Sequence, residues 1–235
     1  MSTICAISTA QGGAIGIIRT SGPEAIRITN DIFHGKHHLT EAKPYTMHFG
    51  EIRDNDILID EVLVSVFRAP HSYTGEDSTE ISCHGSAYIL QRIIELLLKH
   101  GCTMAKPGEY TQRAYLNGKM DLSQAEAVAD LIASKNASTH KIALRQMKGG
   151  YSTKLKELRN RLLEMTSLLE LELDFSEEDV EFADRQKLIQ LAENIHLEIE
   201  RLTNSFHLGN AIKNGVPVAI IGAPNVGKST LLNAL

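Results

Sequence analysis

Tryptophan is absent from the 235 residues, and aromatic residues make up only 5% of them. Proteins that hold single-stranded nucleic acid without sequence preference stack its bases on aromatic side chains, so this chain has little material for such a platform. Lys and Arg total 24 against 29 Asp and Glu, a formal net charge of −5. The chain therefore has no overall excess of basic residues that would indicate a polyanionic partner. Evidence for binding to nucleic acid has to come from local features instead.

Long apolar runs are also missing. No stretch approaches 18 consecutive apolar residues, and the N-terminus leads into the strand-like TICAIS instead of a basic and then apolar leader. The three cysteines, Cys5, Cys83 and Cys102, are odd in number and form no C-x-x-C pair, which argues against a disulfide framework or a zinc knuckle. We therefore expect a cytoplasmic protein with no membrane association.

Proline is missing between residues 108 and 216, whereas Pro23, Pro44, Pro70 and Pro107 punctuate the first half. Between these turn markers, β-branched runs at 14–21 and 57–69 predict strands. Apolar residues at helical spacing predict helices over 24–33 and 87–100. The sequence therefore predicts an α+β domain over residues 1–118.

The proline-free part predicts the first part of a helical domain over residues 119–214. Apolar residues recur at intervals of three and four, which places them along one stripe of a single long helix. They are Leu155, Leu158, Leu162, Met165 and Leu169. A second helix is predicted over about 185–207.

A basic block occupies residues 135–161, which are predicted to belong to the same long helix. Glu157 is its one acidic residue, and an acidic block follows from Glu164 to Asp184. The cations are Lys135, Lys141, Arg145, Lys148, Lys154, Lys156, Arg159 and Arg161. Such a block either contacts the phosphates of a nucleic acid or is an ordinary solvated helix surface, and the sequence leaves both interpretations open.

A phosphate-binding motif lies near the end of the chain. Residues 222–229 match G-x-x-x-x-G-K-[ST], which arises by chance in a chain of this length about one time in a hundred. An apolar run, VPVAIIG, precedes the motif, and leucines at helical spacing follow it. Strand, glycine-rich loop and helix is the context that the motif requires. Residues 215–235 are therefore predicted to begin an α/β P-loop domain that binds a nucleotide, and the family resemblance described below makes it a GTPase domain.

The chemistry of phosphate binding explains the residues of this motif. Backbone N–H groups of a loop that opens a helix point at an anion, and the helix dipole adds positive potential. Lys228 is placed to reach the β and γ phosphates, and the Ser229 hydroxyl to complete the coordination of Mg²⁺. As a hypothesis, the amide oxygen of Asn225 binds a monovalent cation, which would supply further charge. The predicted GTP-binding residues are Asn225, Val226, Gly227, Lys228, Ser229 and Thr230.

Only eight residues, 228–235, follow the glycines of the loop. A Walker-B Asp and the segments that read the base and position water are expected beyond Leu235, together with any catalytic residue. We therefore expect that this polypeptide is a truncated part of a longer protein and does not hydrolyse nucleotide by itself.

Four segments together resemble the MnmE or TrmE family of tRNA uridine-modification GTPases. They are GGAIGIIRTSG (12–22), APHSYTGEDSTEISCHG (69–85), KPGEYTQRAYLNGKMDLSQAEAVADLI (106–132) and GAPNVGKSTLLNAL (222–235). The third is the most specific of them. Ser86 departs from the family, which commonly continues the preceding His-Gly with another glycine.

The resemblance implies an N-terminal domain that binds a tetrahydrofolate and forms a homodimer, a helical domain, and a GTPase domain inserted into it. It also implies a flavoprotein partner, MnmG or GidA, in a heterotetramer. Together they would install a carboxymethylaminomethyl group at C5 of the wobble uridine of tRNA. The one-carbon donor would be 5-formyl- or 5,10-methylene-tetrahydrofolate, and hydrolysis of GTP would require K⁺ as well as Mg²⁺, with Asn225 as the K⁺ ligand.

Three residues match the folate-binding positions of the family: Arg19, Glu80 and Lys119. A carboxylate such as that of Glu80 can accept two parallel hydrogen bonds from the ring N–H and the exocyclic amino group of a pterin. Arg19 and Lys119 can address carbonyl or carboxylate oxygens of the ligand. Without the resemblance, they would be interpreted as a strand-end charge and a turn lysine.

Other residues that invite a functional interpretation are given a structural one. The histidines of HGKHH, at 34, 37 and 38, lie in a predicted polar loop whose spacing matches no established metal site. Cys83 and His84 are neighbours on a predicted strand and should point to opposite faces, so they should not form a nucleophile–base pair. The loop that includes Tyr73, Gly75, Glu76 and Asp77 borders the folate pocket or forms a simple turn.

Two other classes of function remain open at this point. A different P-loop GTPase, such as one of ribosome assembly, would carry an unrelated N-terminal domain and would not bind folate. A folate-binding dimerisation module without catalysis would bind folate and lack turnover.

Overall fold

The computed structural model describes residues 2–10, 12–174, 185–214, 219–224 and 226–234. The chain divides into two compact units, Met1–Val128 and Ala129–Leu235, which are described separately. The three domains expected from the sequence form a finer division, and their limits stay a prediction.

The first unit is built on a mixed seven-stranded sheet of order β3-β4-β5-β6-β2-β1-β7. Neighbouring strands are antiparallel, except that β1 and β7 are parallel. The strands are β1 (Ile4–Ile7), β2 (Ile15–Ser21), β3 (Phe33–Gly35), β4 (Thr46–Asp54), β5 (Ile57–Phe67), β6 (Ser78–His84) and β7 (Thr103–Met104). The strands predicted at 14–21 and 57–69 are thus confirmed as β2 and β5.

Two helices, α1 (Ala25–Ile32) and α2 (Ala87–Lys99), cover one face of this sheet and confirm the helices expected there. Apolar residues recur at helical spacing along both helices. The apolar strand residues that face the helices alternate along each strand with polar ones. Ile18, Val64 and Ile81 on the strands and Ile93 and Leu97 on α2 are completely buried in this core.

The opposite face of the sheet carries the side chains that alternate along each strand with the buried core residues. We call it the open face and define it by Arg19, Glu80, Met47, Phe49 and Leu63. Phe49 lies opposite Leu63 in the β4–β5 ladder, and both are well exposed. The open face therefore combines a charged pair with an exposed apolar surface.

Helix α3 (Glu109–Leu116) follows β7. It begins after Gly108 (φ +75°), and its C-terminal turn passes through Gly118 (φ +69°), where the left-handed backbone favours glycine. A short 3₁₀ helix, Leu39–Glu41, lies earlier in the unit. Helix α4 (Leu122–Ala133) spans the limit between the two units.

The second unit contains α5 (Ala137–Met147), α6 (Gly150–Asp174) and α7 (Arg185–Asn214), which pack against one another. The basic block was predicted to lie on one helix, but the structure divides it between α5 and α6. Gly149 takes φ +80°, a left-handed conformation that interrupts the helix at this point. Helix α7 continues to Asn214 instead of ending near 207. A single glycine, Gly209, costs a helix only about 1 kcal/mol and does not end it.

The predicted leucine stripe lies on α6 but is only partly covered. Leu158 is buried, whereas Leu155, Leu162 and Leu169 remain about two-fifths exposed, at 45%, 42% and 45%. The period of three and four residues thus predicted the helix correctly.

The start of the predicted P-loop domain is described in part. Residues 219–222, expected in a strand, belong to no helix or strand in the structure, and 216–218 lie outside the described residues. A strand exists only through hydrogen bonds to neighbouring strands, and the structure pairs none with 219–222. The helix that follows is confirmed as α8 (Lys228–Ala234). In the part of the chain that the structure describes, no helix combines the length and apolar character needed to cross a bilayer.

Candidate functional site

The centre of the candidate site is an ion pair on the open face. The β2–β6 ladder places Arg19 directly opposite Glu80. The Nε and Nη2 atoms of Arg19 lie 2.9 and 2.7 Å from Oε1 of Glu80, so both nitrogens bind the same oxygen. The two side chains are 30% and 26% exposed. Among the described residues no group donates to Oε2, the second carboxylate oxygen, which leaves it able to accept from a ligand.

Two tyrosines hold the Arg19 guanidinium in place. Its Cζ atom lies 5.7 Å from the ring centre of Tyr73 and 5.6 Å from that of Tyr110, both within the range of a cation–π interaction. The Tyr110 hydroxyl donates to the backbone oxygen of Arg19 at 2.6 Å. Burial raises the pKa of the Tyr110 phenol well above its ordinary value, so the hydroxyl stays protonated and remains a donor.

The loop of residues 70–77 carries Tyr73 and is anchored at several points. The Ser21 hydroxyl, at the end of β2, lies 2.7 Å from both Thr74 Oγ1 and Glu76 Oε2. On the other side, the Asn117 amide donates to the carbonyl oxygen of Thr74 at 2.7 Å. The Tyr73 hydroxyl lies 2.9 Å from Thr111 Oγ1 on α3. The loop is therefore tied to β2 and to α3, and it is not a simple surface turn.

Lys119 reaches the same loop. Its Nζ atom donates to the carbonyl oxygen of Pro70 at 2.9 Å. Its stem runs past Gly75, where a Cβ atom would lie 3.3 Å from the Cγ and Cδ atoms of Lys119 and 3.2 Å from the Cβ of Asn117. Gly75 also takes φ +78°. Glycine at this position thus supplies the backbone conformation and leaves room for the lysine stem.

A buried arginine links α3 to this loop and to the N-terminal strand. Arg113 is 4% exposed. Its Nη1 atom donates to the carbonyl oxygen of Ser2 at 2.8 Å and lies 3.2 Å from both carboxylate oxygens of Glu76, and its Nη2 atom lies 2.8 Å from Glu109 Oε1. The backbone N–H of Lys106 and the Arg113 guanidinium hold the pKa of Glu109 below its ordinary range. These charges are paired and hydrogen-bonded, as burial requires.

Of the three predicted folate residues, the structure brings Arg19 and Glu80 into direct contact. Lys119 forms neither an ion pair nor a hydrogen bond with them in the described part of the chain, and it is connected to Arg19 through the loop that carries Tyr73. Sequence reasoning missed Tyr110 and Arg113. The Glu109–Arg113 spacing of four residues on a helix was a signal for the second, whereas nothing local marked Tyr110.

The predicted phosphate loop is the second candidate site. Lys228 begins α8, and its Nζ atom donates to the carbonyl oxygens of Gly222 and Ala223 at 2.8 and 2.6 Å. Gly227 takes φ +89°, and nothing lies within 4 Å of where its Cβ would be. Ser229 and Thr230 lie in the first turn of the helix. The predicted K⁺ ligand, Asn225, lies outside the described residues.

The remaining candidates keep their structural interpretation. His34, His37 and His38 are exposed, although the segment begins as strand β3 instead of the predicted loop. The described residues contain no group of three or more His, Cys, Asp or Glu able to hold a metal ion. Cys83 and His84 point to opposite faces as predicted: Cys83 is 4% exposed in the core, and the exposed His84 ring lies 2.7 Å from Asp60.

Comparison with known proteins gives consecutive matches along the chain. The model of the GTP-binding protein TrmE N-terminus matches residues 3–119, and that of the MnmE helical domain matches 122–217. A model of a 50S ribosome-binding GTPase matches 217–235, the segment of the phosphate loop. Since the first two models describe the rest of the chain, an unrelated N-terminal domain on a different GTPase is not supported.

Similar full-length proteins carry one name, tRNA modification GTPase MnmE. Those of Bacteroides thetaiotaomicron and Bacteroides fragilis are 69% and 70% identical to this chain over 99% of its length and 51% of theirs. That of Porphyromonas gingivalis is 56% identical over 99% of this chain and 50% of its own length. The chain spans about half the length of the curated relatives it matches.

Proposed function

Because the chain belongs to the MnmE (TrmE) family, we propose that it acts in a cytoplasmic, GTP-dependent modification of tRNA that uses a tetrahydrofolate one-carbon unit. With a flavoprotein of the MnmG (GidA) type, as a heterotetramer, it installs a carboxymethylaminomethyl group at C5 of the wobble uridine. The Arg19–Glu80 pair on the open face carries this proposal, since it offers a preorganised carboxylate inside the first unit.

Glu80 is proposed to recognise the pterin ring of the folate. A pterin presents a ring N–H and an exocyclic amino group side by side, and two carboxylate oxygens match them with two parallel hydrogen bonds. Oε2 is free of donors among the described residues, whereas Oε1 already accepts from Nε and Nη2 of Arg19, so one of these two N–H groups has to leave Oε1 before it accepts the second pterin hydrogen bond. The donor is 5-formyl- or 5,10-methylene-tetrahydrofolate.

Arg19 and Lys119 are proposed to address carbonyl or carboxylate oxygens of the same ligand. The Lys119 ammonium uses one of its three N–H groups on Pro70, which leaves two for a ligand. The tyrosines beside Arg19 hold its guanidinium in one plane before the ligand arrives, so less side-chain entropy is lost on binding.

The phosphate loop is proposed to bind GTP. Two features of its residues suit a nucleotide. Gly227 takes a left-handed conformation with open space around it, and the Lys228 ammonium donates to the carbonyl oxygens of Gly222 and Ala223 in the loop. Lys228 would bind the β and γ phosphates, Ser229 would ligate Mg²⁺, and Asn225 would ligate K⁺. Val226, Gly227 and Thr230 complete the set. Assayed by itself, the 235-residue polypeptide is expected to hydrolyse GTP no faster than its Lys228→Ala variant.

A homodimer is proposed through the first unit. Met47 and Phe49 on the open face are 61% and 65% exposed, and Leu63 beside them is 41% exposed. A contiguous apolar surface of this kind on a sheet is typical of a protein interface. The chain should therefore sediment as a dimer at micromolar concentration, and Phe49→Lys should shift it towards the monomer. A monomeric wild-type chain would contradict the proposal.

The function is tested in the organism that encodes the protein by mass spectrometry of the wobble nucleoside. Changing Glu80 to Gln in the chromosomal gene should abolish the carboxymethylaminomethyl group, because an amide N–H₂ would face the N–H groups of the pterin. The matched control is Glu61→Gln, an exposed carboxylate on β5 that forms no ion pair with the described residues. Full modification in the Glu80→Gln strain would overturn the proposed role of this site.

A further inference from the structure

Helix α5 and the residue that caps its C-terminus carry a row of three cations on one side. Lys141, Arg145 and Lys148 are four and three residues apart, and this spacing places them on one face of a helix. At a rise of 1.5 Å per residue the row is about 10 Å long. All three residues are exposed. We call these three residues the α5 basic row.

The row faces away from the packing of the second unit. Ala143 is 3% exposed, and Leu144 and Met147 are half-buried where α5 packs against α6 and α7. Ala143 follows Lys141 by two residues and precedes Arg145 by two, which places it on the opposite side of the helix. The cations therefore lie on the outer surface of this unit.

Among the described residues, no carboxylate forms an ion pair with these three cations. The sequence has no Asp or Glu between Asp130 and Glu157, although the whole chain carries −5. By contrast, Lys154 on α6 pairs with Glu198 on α7 at 3.3 Å.

Arg145 is held in position by the turn that follows α5. A Cβ atom at Gly150 would lie 3.2 Å from the Cγ atom of Arg145, so the arginine stem packs against the Gly149–Gly150 turn. Favourable interaction with the helix dipole accounts for cations in the last turn of α5 but not for Lys141 in the middle of the helix. The dipole therefore does not explain the whole row.

We propose that the α5 basic row binds the phosphate backbone of tRNA, an inference that rests on the proposed function for the identity of the RNA. Uncompensated Lys and Arg gain affinity for a nucleic acid by releasing the counterions of its phosphates. The chain has few aromatic residues and no Trp, so contact with the backbone fits its composition better than base stacking. Because such contacts read no bases, the row positions the tRNA and does not select it.

The experiment measures fluorescence anisotropy of a labelled tRNA titrated with the 235-residue chain at several KCl concentrations. The test variant carries Lys141→Gln, Arg145→Gln and Lys148→Gln. The control carries Lys156→Gln, Arg159→Gln and Arg201→Gln, which removes the same charge from exposed positions of α6 and α7. Circular dichroism and thermal melting establish that both variants are folded like the wild type.

Loss of three phosphate contacts should lower the slope of log K against log salt by about two to three and weaken binding on the order of tenfold at low salt. The slope of the control should differ from that of the wild type by no more than about one, which corresponds to a single phosphate contact. Equal losses in both variants would overturn the proposal, because binding would then depend on total charge alone. Unchanged binding in the test variant would also overturn it, while tRNA binding and the proposed function would stand.

Absence of tRNA binding by the wild-type chain would overturn the proposal too. Whether the proposed function then stands is decided separately by folate binding at Glu80, which belongs to the other compact unit.

Discussion

Glu80 acquires its proposed role from neighbours that are far away in the sequence. On its own, a glutamate within a strand indicates only a position on a polar face, and the assignment to folate came from the family resemblance. The structure adds Arg19 at hydrogen-bond distance and the rings of Tyr73 and Tyr110 around it. Tyr110 lies 91 residues from Arg19 and carries no local signal, so the sequence alone could not place it.

Gly75 offers a test of the packing beside Lys119. Gly75→Ala imposes φ +78° on an alanine and brings its Cβ within 3.2–3.3 Å of Asn117 and Lys119. We expect a loss of about 1–3 kcal/mol in the free energy of unfolding. The control is Gly118→Ala, at φ +69° with nothing within 4 Å, which should cost only the backbone part. Urea unfolding followed by tyrosine fluorescence measures both, and equal losses would show that the contact with Lys119 is unimportant.

Elements were predicted well where a single pattern decides them, and less well where two rules compete. β-branched runs between prolines predicted β2 and β5, and helical spacing predicted α1, α2 and α8. The break at Gly149 was missed because glycine inside a helical pattern is tolerated at a cost of about 1 kcal/mol and does not by itself predict the end of a helix. Its φ of +80° is a property of the folded chain that composition does not reveal.

Helix α3 carries a prediction about pH. The pKa of Glu109 is lowered in the folded protein, so its contribution to stability is full above the ordinary carboxyl pKa and is lost as pH falls through the lowered value. Glu109→Gln should therefore be less stable than the wild type at pH 7, by about 1–3 kcal/mol, and the difference should shrink below about pH 4.

Urea unfolding between pH 3 and 7 measures this effect. Glu95→Gln is the control, since that exposed carboxylate on α2 pairs with Arg92 at the surface, where solvent screens the ion pair, and its loss should change stability less than the loss of Glu109. A difference between Glu109→Gln and the wild type that stays constant across the pH range would contradict the assigned ion pair.

The two compact units differ in how much apolar surface they bury. The first contains the core cluster of the sheet and its helices, together with all three cysteines. In the described part of the second unit, the buried apolar side chains are Ala143, Leu158 and Ile195. Since burial of apolar area is the main stabilising contribution, the second unit should unfold first.

Thiol reactivity separates the two transitions, because Cys5, Cys83 and Cys102 are buried in the first unit. Burial raises the pKa of the Cys83 thiol to about 11, which further suppresses its reaction at pH 8. In rising urea, helical circular dichroism should fall first while the thiols stay unreactive towards an aromatic disulfide reagent. All three should react in the second transition. Coincidence of the two signals would contradict separate unfolding.

Calorimetric titration of the chain with 5-formyltetrahydrofolate tests the central claim most directly, because Arg19, Glu80 and Lys119 all lie within the first unit. We predict saturable binding by the wild type and by Glu61→Gln. Affinity should fall at least about tenfold in Glu80→Gln, a loss of about 1.4 kcal/mol or more. Equal affinity of the wild type and Glu80→Gln, or no binding by the folded wild type, would contradict the account.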